Sequence, residues 1–118
     1  MKLTVHLAEQ SYDIFLTRGC LAEAGRYMNL NRKVLLVTDT GVPQQYADAI
    51  AAQCKEAYKV VLPAGEKSKS MDSFSLLLSK MLQASFTRLD CVVAIGGGVM
   101  GDLAGFTASC YMRGIDFY

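Results

Sequence analysis

One stretch decides the fold: CVVAIGGGVMGDLAGF, residues 91–106. Its first five residues are apolar and rich in β-branched side chains, which predicts a short strand buried on both faces. Three adjacent glycines follow, and the residues after them carry helical apolar spacing without proline. A strand, a glycine turn and a helix in this order point backbone N–H groups and the positive end of a helix dipole at an anion. We therefore interpret the stretch as a phosphate or dinucleotide cradle.

The same pattern also permits an interpretation without a ligand. Glycine-rich turns occur where a helix packs closely against a sheet, and the G-x-G-x-x-G match from Gly96 to Gly101 is weak on its own. In a standard dinucleotide-binding unit this fingerprint follows the first strand, whereas here it follows a later one. The turn is therefore predicted to differ from the standard dinucleotide-binding turn.

The composition favours a single α/β domain. Of the 118 residues, 52% are hydrophobic and 19% are charged, which suits a buried parallel sheet or a piece whose partner surface is missing. A net charge of +1 gives no electrostatic reason for nucleic-acid binding. No apolar run reaches the length of a membrane span and no signal-peptide pattern opens the chain, so we expect a cytoplasmic protein without membrane contact.

The cysteines and the single histidine do not form a metal-ligand pattern. The cysteines are scattered through apolar segments, so we expect reduced, buried thiols rather than a disulfide framework. His6 is expected on the surface of a hairpin. The cysteines concerned are Cys20, Cys54, Cys91 and Cys110.

Strands and helices alternate along the chain, which predicts right-handed crossovers and a parallel sheet. Ser70 is a suitable N-cap for a helix whose apolar stripe faces the core. That stripe consists of Phe74, Leu77, Leu78, Met81 and Leu82. The predicted elements are a peripheral hairpin from Leu3 to Leu16, a short helix from Cys20 to Met28, strands at Lys33–Thr38, Ala57–Leu62 and Cys91–Ile95, helices from Pro43 to about Cys54 and from Ser70 to about Ala84, and a further strand from Ile115.

Three loops share the carboxyl edge of the predicted sheet, which is where ligands of such sheets bind. They are Asp39–Gly41, Gly65–Lys69 and Gly96–Asp102. The carboxylates of Asp39 and Glu66 can accept hydrogen bonds from ribose hydroxyls, and Lys69 can meet a phosphate or a ribose oxygen. Taken alone, the charged loop is better explained as a solvated surface segment. Together the three loops predict a single ligand site.

Several segments resemble the 3-dehydroquinate synthases, a family of sugar-phosphate cyclases. The sequence LPAGEKSKS at 62–70 resembles their L-P-x-G-E-x-x-K-S segment, and AIGGGVMGDLAGF at 94–106 is similar to their glycine signature. YMRGI at 111–115 matches their Y-x-R-G-[IV] pattern, and the opening from Val5 to Gly19 has their S-Y-D-I hairpin. The resemblance spans the whole chain in register.

The resemblance implies a Rossmann-like parallel sheet flanked by helices. It also implies an enzyme that converts 3-deoxy-arabino-heptulosonate 7-phosphate to 3-dehydroquinate with phosphate release, in the shikimate route to aromatic amino acids. The family uses NAD and a divalent metal, zinc or cobalt. Arg113 matches an arginine that meets the sugar-acid phosphate substrate. Cofactor contacts are implied for Asp39, Thr40, Gly41, Glu66, Lys67, Ser68, Lys69, Gly97, Gly98, Val99 and Asp102.

The family's enzymes carry a second, helical domain that supplies the metal ligands, one Glu and two His, and most substrate-binding residues. The resemblance therefore implies that residues 1–118 are a truncated NAD-binding domain, inactive alone, with no catalytic or metal residue of its own. Family members vary at Asp39 and Gly41, so contacts there are expected to be mainly with the main chain. We expect a homo-oligomer, with strand exchange near Ile115 to Tyr118.

Three alternatives stay open. A sister sugar-phosphate cyclase would change residues around Gly101-Asp102 and Gly105-Phe106, which here keep the dehydroquinate form. A glycerol or iron-dependent alcohol dehydrogenase-like domain would carry Ser where this chain has Val99. The third alternative is a binding module without turnover.

Overall fold

A computed structural model describes residues 1–118 as two sheets with helices around the larger one. The smaller sheet is an antiparallel hairpin of β1 (Lys2–Val5) and β2 (Tyr12–Phe15). The larger sheet is parallel, in the order β4-β3-β5-β6. Its strands are β3 (Lys33–Asp39), β4 (Glu56–Leu62), β5 (Cys91–Ile95) and β6 (Asp116–Phe117).

Three α-helices connect these strands: α1 (Gln44–Ala51), α2 (Met71–Gln83) and α3 (Gly98–Cys110). Short 3₁₀ segments cover Cys20–Arg26, Glu66–Ser68 and Tyr111–Arg113. None of the helices combines the length and the apolar character that crossing a membrane requires. The predicted α/β fold with a peripheral hairpin is confirmed, and the predicted strand from Ile115 is present as β6.

The parallel sheet is covered on both faces, because neighbouring strand residues point to opposite sides. On one face, α2 and α3 pack against Leu35, Val37 and Val92, whereas α1 and the first 3₁₀ segment cover Val34 and Leu36 on the other. All five strand side chains are fully buried. This two-sided burial explains why the sequence of β3 is a continuous apolar run rather than an alternating one.

Helix α2 begins as the sequence predicts. The Ser70 hydroxyl accepts a hydrogen bond from the backbone N–H of Ser73 at 3.2 Å and caps the helix. Leu77 and Met81 of the predicted stripe are fully buried. The prediction that Leu82 faces the core is wrong, because this residue lies at the edge of the stripe and keeps 67% of its surface exposed.

Two other expectations need correction. Helix α1 ends at Ala51 rather than near Cys54, and a turn covers the intervening residues. The cysteines are free, as predicted, but only Cys91 is buried; Cys20 and Cys54 are half-buried and Cys110 is exposed. It falls between Thr107 and Tyr111, the positions at which α3 and the following turn face the core.

Candidate functional site

The carboxyl edge of the sheet has a crevice between β3 and β5. These strands are neighbours, yet the helix that follows β3 covers one face of the sheet and the helix that follows β5 covers the other. The two connections therefore leave in opposite directions, which opens the space where parallel α/β sheets bind ligands. The loop Asp39–Gly41 and the glycine turn lie at this point.

Helix α3 presents free backbone donors to the crevice. Gly97 is its N-cap residue and has no side chain to cap the helix. The N–H of Gly101 makes the first helical bond, to the Gly97 carbonyl at 3.1 Å. The N–H groups of Gly98, Val99 and Met100 consequently have no acceptor within the chain. With the helix dipole, these donors suit an anion.

The glycines of the turn differ in what they do. A Cβ atom added to Gly97 or Gly98 would meet nothing within 4 Å, so space is open beside both main chains. Gly96, by contrast, has φ +151° and its Cβ would lie 3.2 Å from Cγ of Met100. The backbone at Gly96 therefore requires glycine, whereas Gly97 and Gly98 leave an approach open to a ligand.

Hydrogen bonds hold the loop after β3 against the loop after β4. The Thr40 hydroxyl accepts from the N–H of Ala64 at 3.0 Å, and the Thr40 N–H donates to the Leu62 carbonyl at 2.9 Å. One carboxylate oxygen of Asp39 accepts from the N–H of Gly41 at 2.8 Å. Thr40 and Asp39 thus use side-chain atoms to shape the loops.

An ion pair joins the charged loop to α3. Nζ of Lys69 donates to a carboxylate oxygen of Asp102 at 2.9 Å. This hydrogen bond, and the negative charge of Asp102, raise the pKa of the Lys69 ammonium group. Glu66 and Lys67 are exposed, whereas Ser68 is buried and its hydroxyl donates to the Pro63 carbonyl. The structure therefore brings together the three loops that the sequence predicts to meet.

Arg113 is not brought to this edge. It follows α3, and that helix of 13 residues runs back from the carboxyl edge over about 20 Å before β6 begins. Arg113 and its neighbour Met112 have positive φ angles of 66° and 46°, and the side chain of Arg113 is exposed. The hydroxyl of buried Tyr111 anchors this turn by donating to the Phe86 carbonyl at 2.8 Å.

Two features near the crevice are difficult to predict from the sequence. The Thr38 hydroxyl, at the end of β3, is buried without a hydrogen-bond partner, and its signal is a lone polar residue in an apolar strand. A groove of about 290 Å³ between α2 and α3 starts at the Lys69–Asp102 pair. Phe74 and Phe106 line it with ring centroids 5.0 Å apart. The helical periodicity of each helix places these rings at the edge of its core face.

A cavity larger than this groove lies at the opposite, amino edge of the sheet. It measures about 800 Å³ and is lined mainly by polar groups, among them Arg32, Lys55 and Arg88. None of the predicted site residues lines it. Arg32 explains its polarity, because its guanidinium group binds the Leu89 carbonyl and Asp116 and so ties the strand ends together. We therefore place the candidate site at the carboxyl edge, in the crevice between β3 and β5.

Together the doubly wound sheet, the switch between β3 and β5 and the glycine-rich start of α3 define an α/β domain of the Rossmann-like class. The sequence profile described as 3-dehydroquinate synthase N-terminal matches residues 59–118. The chain belongs to this 3-dehydroquinate synthase family.

Three curated relatives that match along almost the whole chain are all named 3-dehydroquinate synthase. The chain is 44% identical over 118 residues to the 3-dehydroquinate synthase of Alkaliphilus metalliredigens, covering 98% of this chain and 33% of that protein. It is 43% identical to the enzyme of Rhizobium etli (97% and 33%) and 39% identical to that of Streptococcus suis (99% and 35%). The chain thus spans about a third of the length of these relatives.

Solved structures of cyclases share the fold. A 2-deoxy-scyllo-inosose synthase complexed with carbaglucose-6-phosphate, NAD⁺ and Co²⁺ superposes with a TM-score of 0.88 over 99% of this chain and 34% of that one. At 21% identity this likeness concerns the fold alone. A 2-epi-5-epi-valiolone synthase from Streptomyces hygroscopicus, with NAD⁺ and Zn²⁺ bound, has a TM-score of 0.75 at 30% identity over 96% of this chain and 33% of that one.

Proposed function

We propose that residues 1–118 form the NAD-binding domain at the N-terminus of a 3-dehydroquinate synthase. That enzyme converts 3-deoxy-arabino-heptulosonate 7-phosphate to 3-dehydroquinate and releases phosphate. Family membership and the relatives at 39–44% identity support this choice over the sister cyclases. Because the chain spans a third of those relatives, we propose that it binds the cofactor and does not catalyse the reaction by itself.

The observation that carries the proposal is the uncapped start of α3. Its free N–H groups at Gly98 and Val99 and the open space beside Gly97 suit the pyrophosphate of a dinucleotide. When bound, NAD supplies a reversible hydride acceptor, and the protein supplies position and electrostatics. The residues present therefore fit NAD.

The remaining proposed cofactor contacts divide by how they can act. Asp39, Thr40 and Gly41 contribute mainly through the main chain, because Asp39 and Thr40 already use side-chain oxygens within the fold. Ser68 acts through the loop shape that its bond to Pro63 fixes. Contacts through exposed side chains are left to Glu66, Lys67, Lys69 and Asp102.

Arg113 is proposed to bind an anionic group of the substrate. Its guanidinium is exposed, and a planar fork of donors suits a phosphate or a carboxylate. Since Arg113 lies at the other end of α3, it would serve an anion bound outside the cradle.

No group of three or more His, Cys, Asp or Glu side chains in this chain could hold a metal ion. The side chains of residues 1–118 therefore do not fit the divalent metal of the family, and we assign no metal ligand to them. We further propose a cytoplasmic homo-oligomer that acts on NAD and a sugar-acid phosphate, without nucleic-acid or membrane partners.

Genetic complementation tests the proposed function. The complete gene that encodes this chain is introduced into bacteria that lack 3-dehydroquinate synthase and need aromatic amino acids. We expect growth without the supplement, and phosphate release from 3-deoxy-arabino-heptulosonate 7-phosphate by the purified product. A Gly98→Val version should fail in both assays while a Leu82→Ala version succeeds. A folded gene product that releases no phosphate contradicts the proposal.

A further inference from the structure

The cavity at the amino edge of the sheet contains two positively charged side chains that have no partner in the fold. We call this space of about 800 Å³ the amino-edge cavity, and only one of its twelve lining residues is hydrophobic. Lys55 and Arg88 both line it and are exposed. Neither side chain forms a hydrogen bond or a salt bridge with another group of the chain. Both charges are therefore available to a ligand.

Each carboxylate in the cavity wall already has a donor within the chain. Asp90 is buried and accepts from the backbone N–H of Thr87 at 2.7 Å. Asp116 pairs with Arg32 at 2.8 Å. Glu56 accepts from a tyrosine hydroxyl of its own strand at 2.6 Å. The carboxylates thus leave both free cations without a counter-charge at contact distance.

The carboxyl ends of α1 and α2 also lie at this edge, and their last carbonyls carry partial negative charge. Other donors satisfy these carbonyls. Nζ of Lys33 donates to the carbonyls of Ala84 and Ser85 at 2.7 and 3.3 Å, where α2 ends. The side-chain amide of Gln53 donates to the Ala49 carbonyl of α1 at 2.9 Å. The helix ends therefore do not account for the two free cations.

Hydrogen bonds fix the backbone segments that carry these cations. The Lys55 N–H donates to the Leu30 carbonyl at 3.0 Å, just before β3 begins. The N–H of Lys33, the first residue of β3, donates to Asp90 at 3.3 Å. Asp90 in turn closes the turn that contains Arg88. Both cations thus lie on segments joined to the start of β3, so little backbone order has to be gained on binding.

We propose that the amino-edge cavity binds a phosphorylated sugar. The Lys55 ammonium and the Arg88 guanidinium supply the charge-assisted donors that a phosphate group requires. Asn31 and Ser85 line the same cavity, and their side chains form no hydrogen bond within the chain, so they suit sugar hydroxyls. The volume lies in the range of sites for small organic molecules.

The lining favours a sugar over a nucleotide as the carrier of the phosphate. A nucleotide base binds best against an aromatic or apolar surface. The cavity offers only Leu89 as a hydrophobic residue, and this side chain keeps 80% of its surface exposed. A polar ligand with many hydroxyl groups therefore matches the wall better than a base does.

The amino-edge cavity is separate from the proposed NAD site. Strand β3 has seven residues, so its two ends lie about 20 Å apart. None of the residues proposed to hold the cofactor lines the cavity. We expect the sugar phosphate and NAD to bind independently, so this proposal can fail while the proposed function stands.

An NMR titration of the ¹⁵N-labelled chain with glucose 6-phosphate tests the proposal, with inorganic phosphate and glucose as separate arms. We expect saturable shifts of the amides of Lys55 and Arg88, with a dissociation constant on the order of 1 mM. The amides of Gly97 and Gly98 should stay in place. Inorganic phosphate should bind more weakly than glucose 6-phosphate, and equal affinities would overturn the sugar in favour of free phosphate. The absence of saturable shifts up to about 20 mM, or the same shifts with glucose, would overturn the phosphate site itself.

Charge-removing variants test the two proposed contacts. Lys55→Gln and Arg88→Gln should each weaken the binding of glucose 6-phosphate at least tenfold. Arg18→Gln is the matched control, because Arg18 is also exposed and unpaired but does not line the cavity. Substitutions at such exposed positions seldom alter folding, and the spectrum of each variant reports this directly. Affinity that is unchanged in both cavity variants, or equal weakening by Arg18→Gln, contradicts the proposal.

Discussion

Lys69 and Asp102 meet at 2.9 Å although 33 positions of sequence separate them. Their contact joins the loop after β4 to the first turns of α3, beside the open glycines of the crevice. Both side chains are half exposed, so water screens the pair and it contributes little to the stability of the fold. The pair is therefore better explained by the site than by stability.

Removing this pair should affect nucleotide binding more than folding. Lys69→Met and Asp102→Asn should each weaken NAD binding at least tenfold, about 1.4 kcal/mol. Each variant removes one charge of the ion pair, so the remaining side chain is no longer held in place beside the crevice. Thermal unfolding should shift by only a few degrees or less. Lys80→Met, at an exposed position of α2, is the control and should change neither quantity. Unchanged NAD affinity in both variants would contradict the assignment.

The two ends of the glycine turn should respond oppositely to a methyl group. Gly98→Ala adds a Cβ to open space at an unstrained helix position, so the free energy of unfolding should rise by about 0.4–1 kcal/mol. Gly96→Ala places a Cβ against Met100 at a positive φ angle and should cost about 1–3 kcal/mol. Urea unfolding of both variants measures this difference, and shifts of equal sign would show that the turn has a different backbone.

Much of the fold is predictable because its signals are local. The run at β3 and the glycine turn after β5 each combine a strand pattern with a nearby turn residue, and Ser70 marks the start of α2. The convergence of three loops follows from the parallel sheet, because carboxyl ends of neighbouring strands lie at one edge.

Other features depend on packing that the sequence pattern does not carry. Leu82 and Cys110 are exposed because they lie off the core faces of α2 and α3, and the width of each core face depends on how the helix packs on the sheet. The placement of Arg113 away from the crevice depends on the length of α3, and the Lys69–Asp102 contact depends on the distance between two loops. The sequence motifs predict which residue types lie in each loop. The exposure of side chains and the contacts between loops are visible only in the folded chain.

Tyr111 should stabilise the turn that carries Arg113. Its buried hydroxyl donates to the Phe86 carbonyl, so Tyr111→Phe leaves a buried acceptor without its donor and should cost about 1–3 kcal/mol. Tyr46→Phe changes an exposed tyrosine and should have little effect. Thermal unfolding of both variants is the measurement, and equal shifts would argue against the hydrogen bond.

Cys91 and Cys110 should differ in reactivity. Burial raises the pKa of the Cys91 thiol from 9.0 to about 11, with nearby Arg32 opposing the shift. At pH 8, iodoacetamide should therefore modify exposed Cys110 and leave Cys91 intact, as measured by mass spectrometry of tryptic peptides. Rapid labelling of Cys91 in the folded chain would show that β5 opens.

The same shift predicts a pH dependence of stability. The folded state holds the Cys91 proton more tightly than the unfolded state does. The contribution of Cys91 to the free energy of unfolding is therefore complete below about pH 9 and is lost as the pH rises toward 11. Cys91→Val should flatten the fall in stability over this window. An identical fall in the variant would assign the effect to another group.

The most direct test of the nucleotide cradle is an NMR titration of the ¹⁵N-labelled chain with NAD. We expect the amides of Gly97, Gly98, Val99 and Gly41 to shift together, and we expect Gly98→Val to weaken this response at least tenfold while the rest of the spectrum remains that of a folded chain. If those amides do not move up to about 10 mM NAD, or if the shifts appear only around Arg32 and Lys55 at the opposite edge, the glycine turn is structural and does not bind the nucleotide.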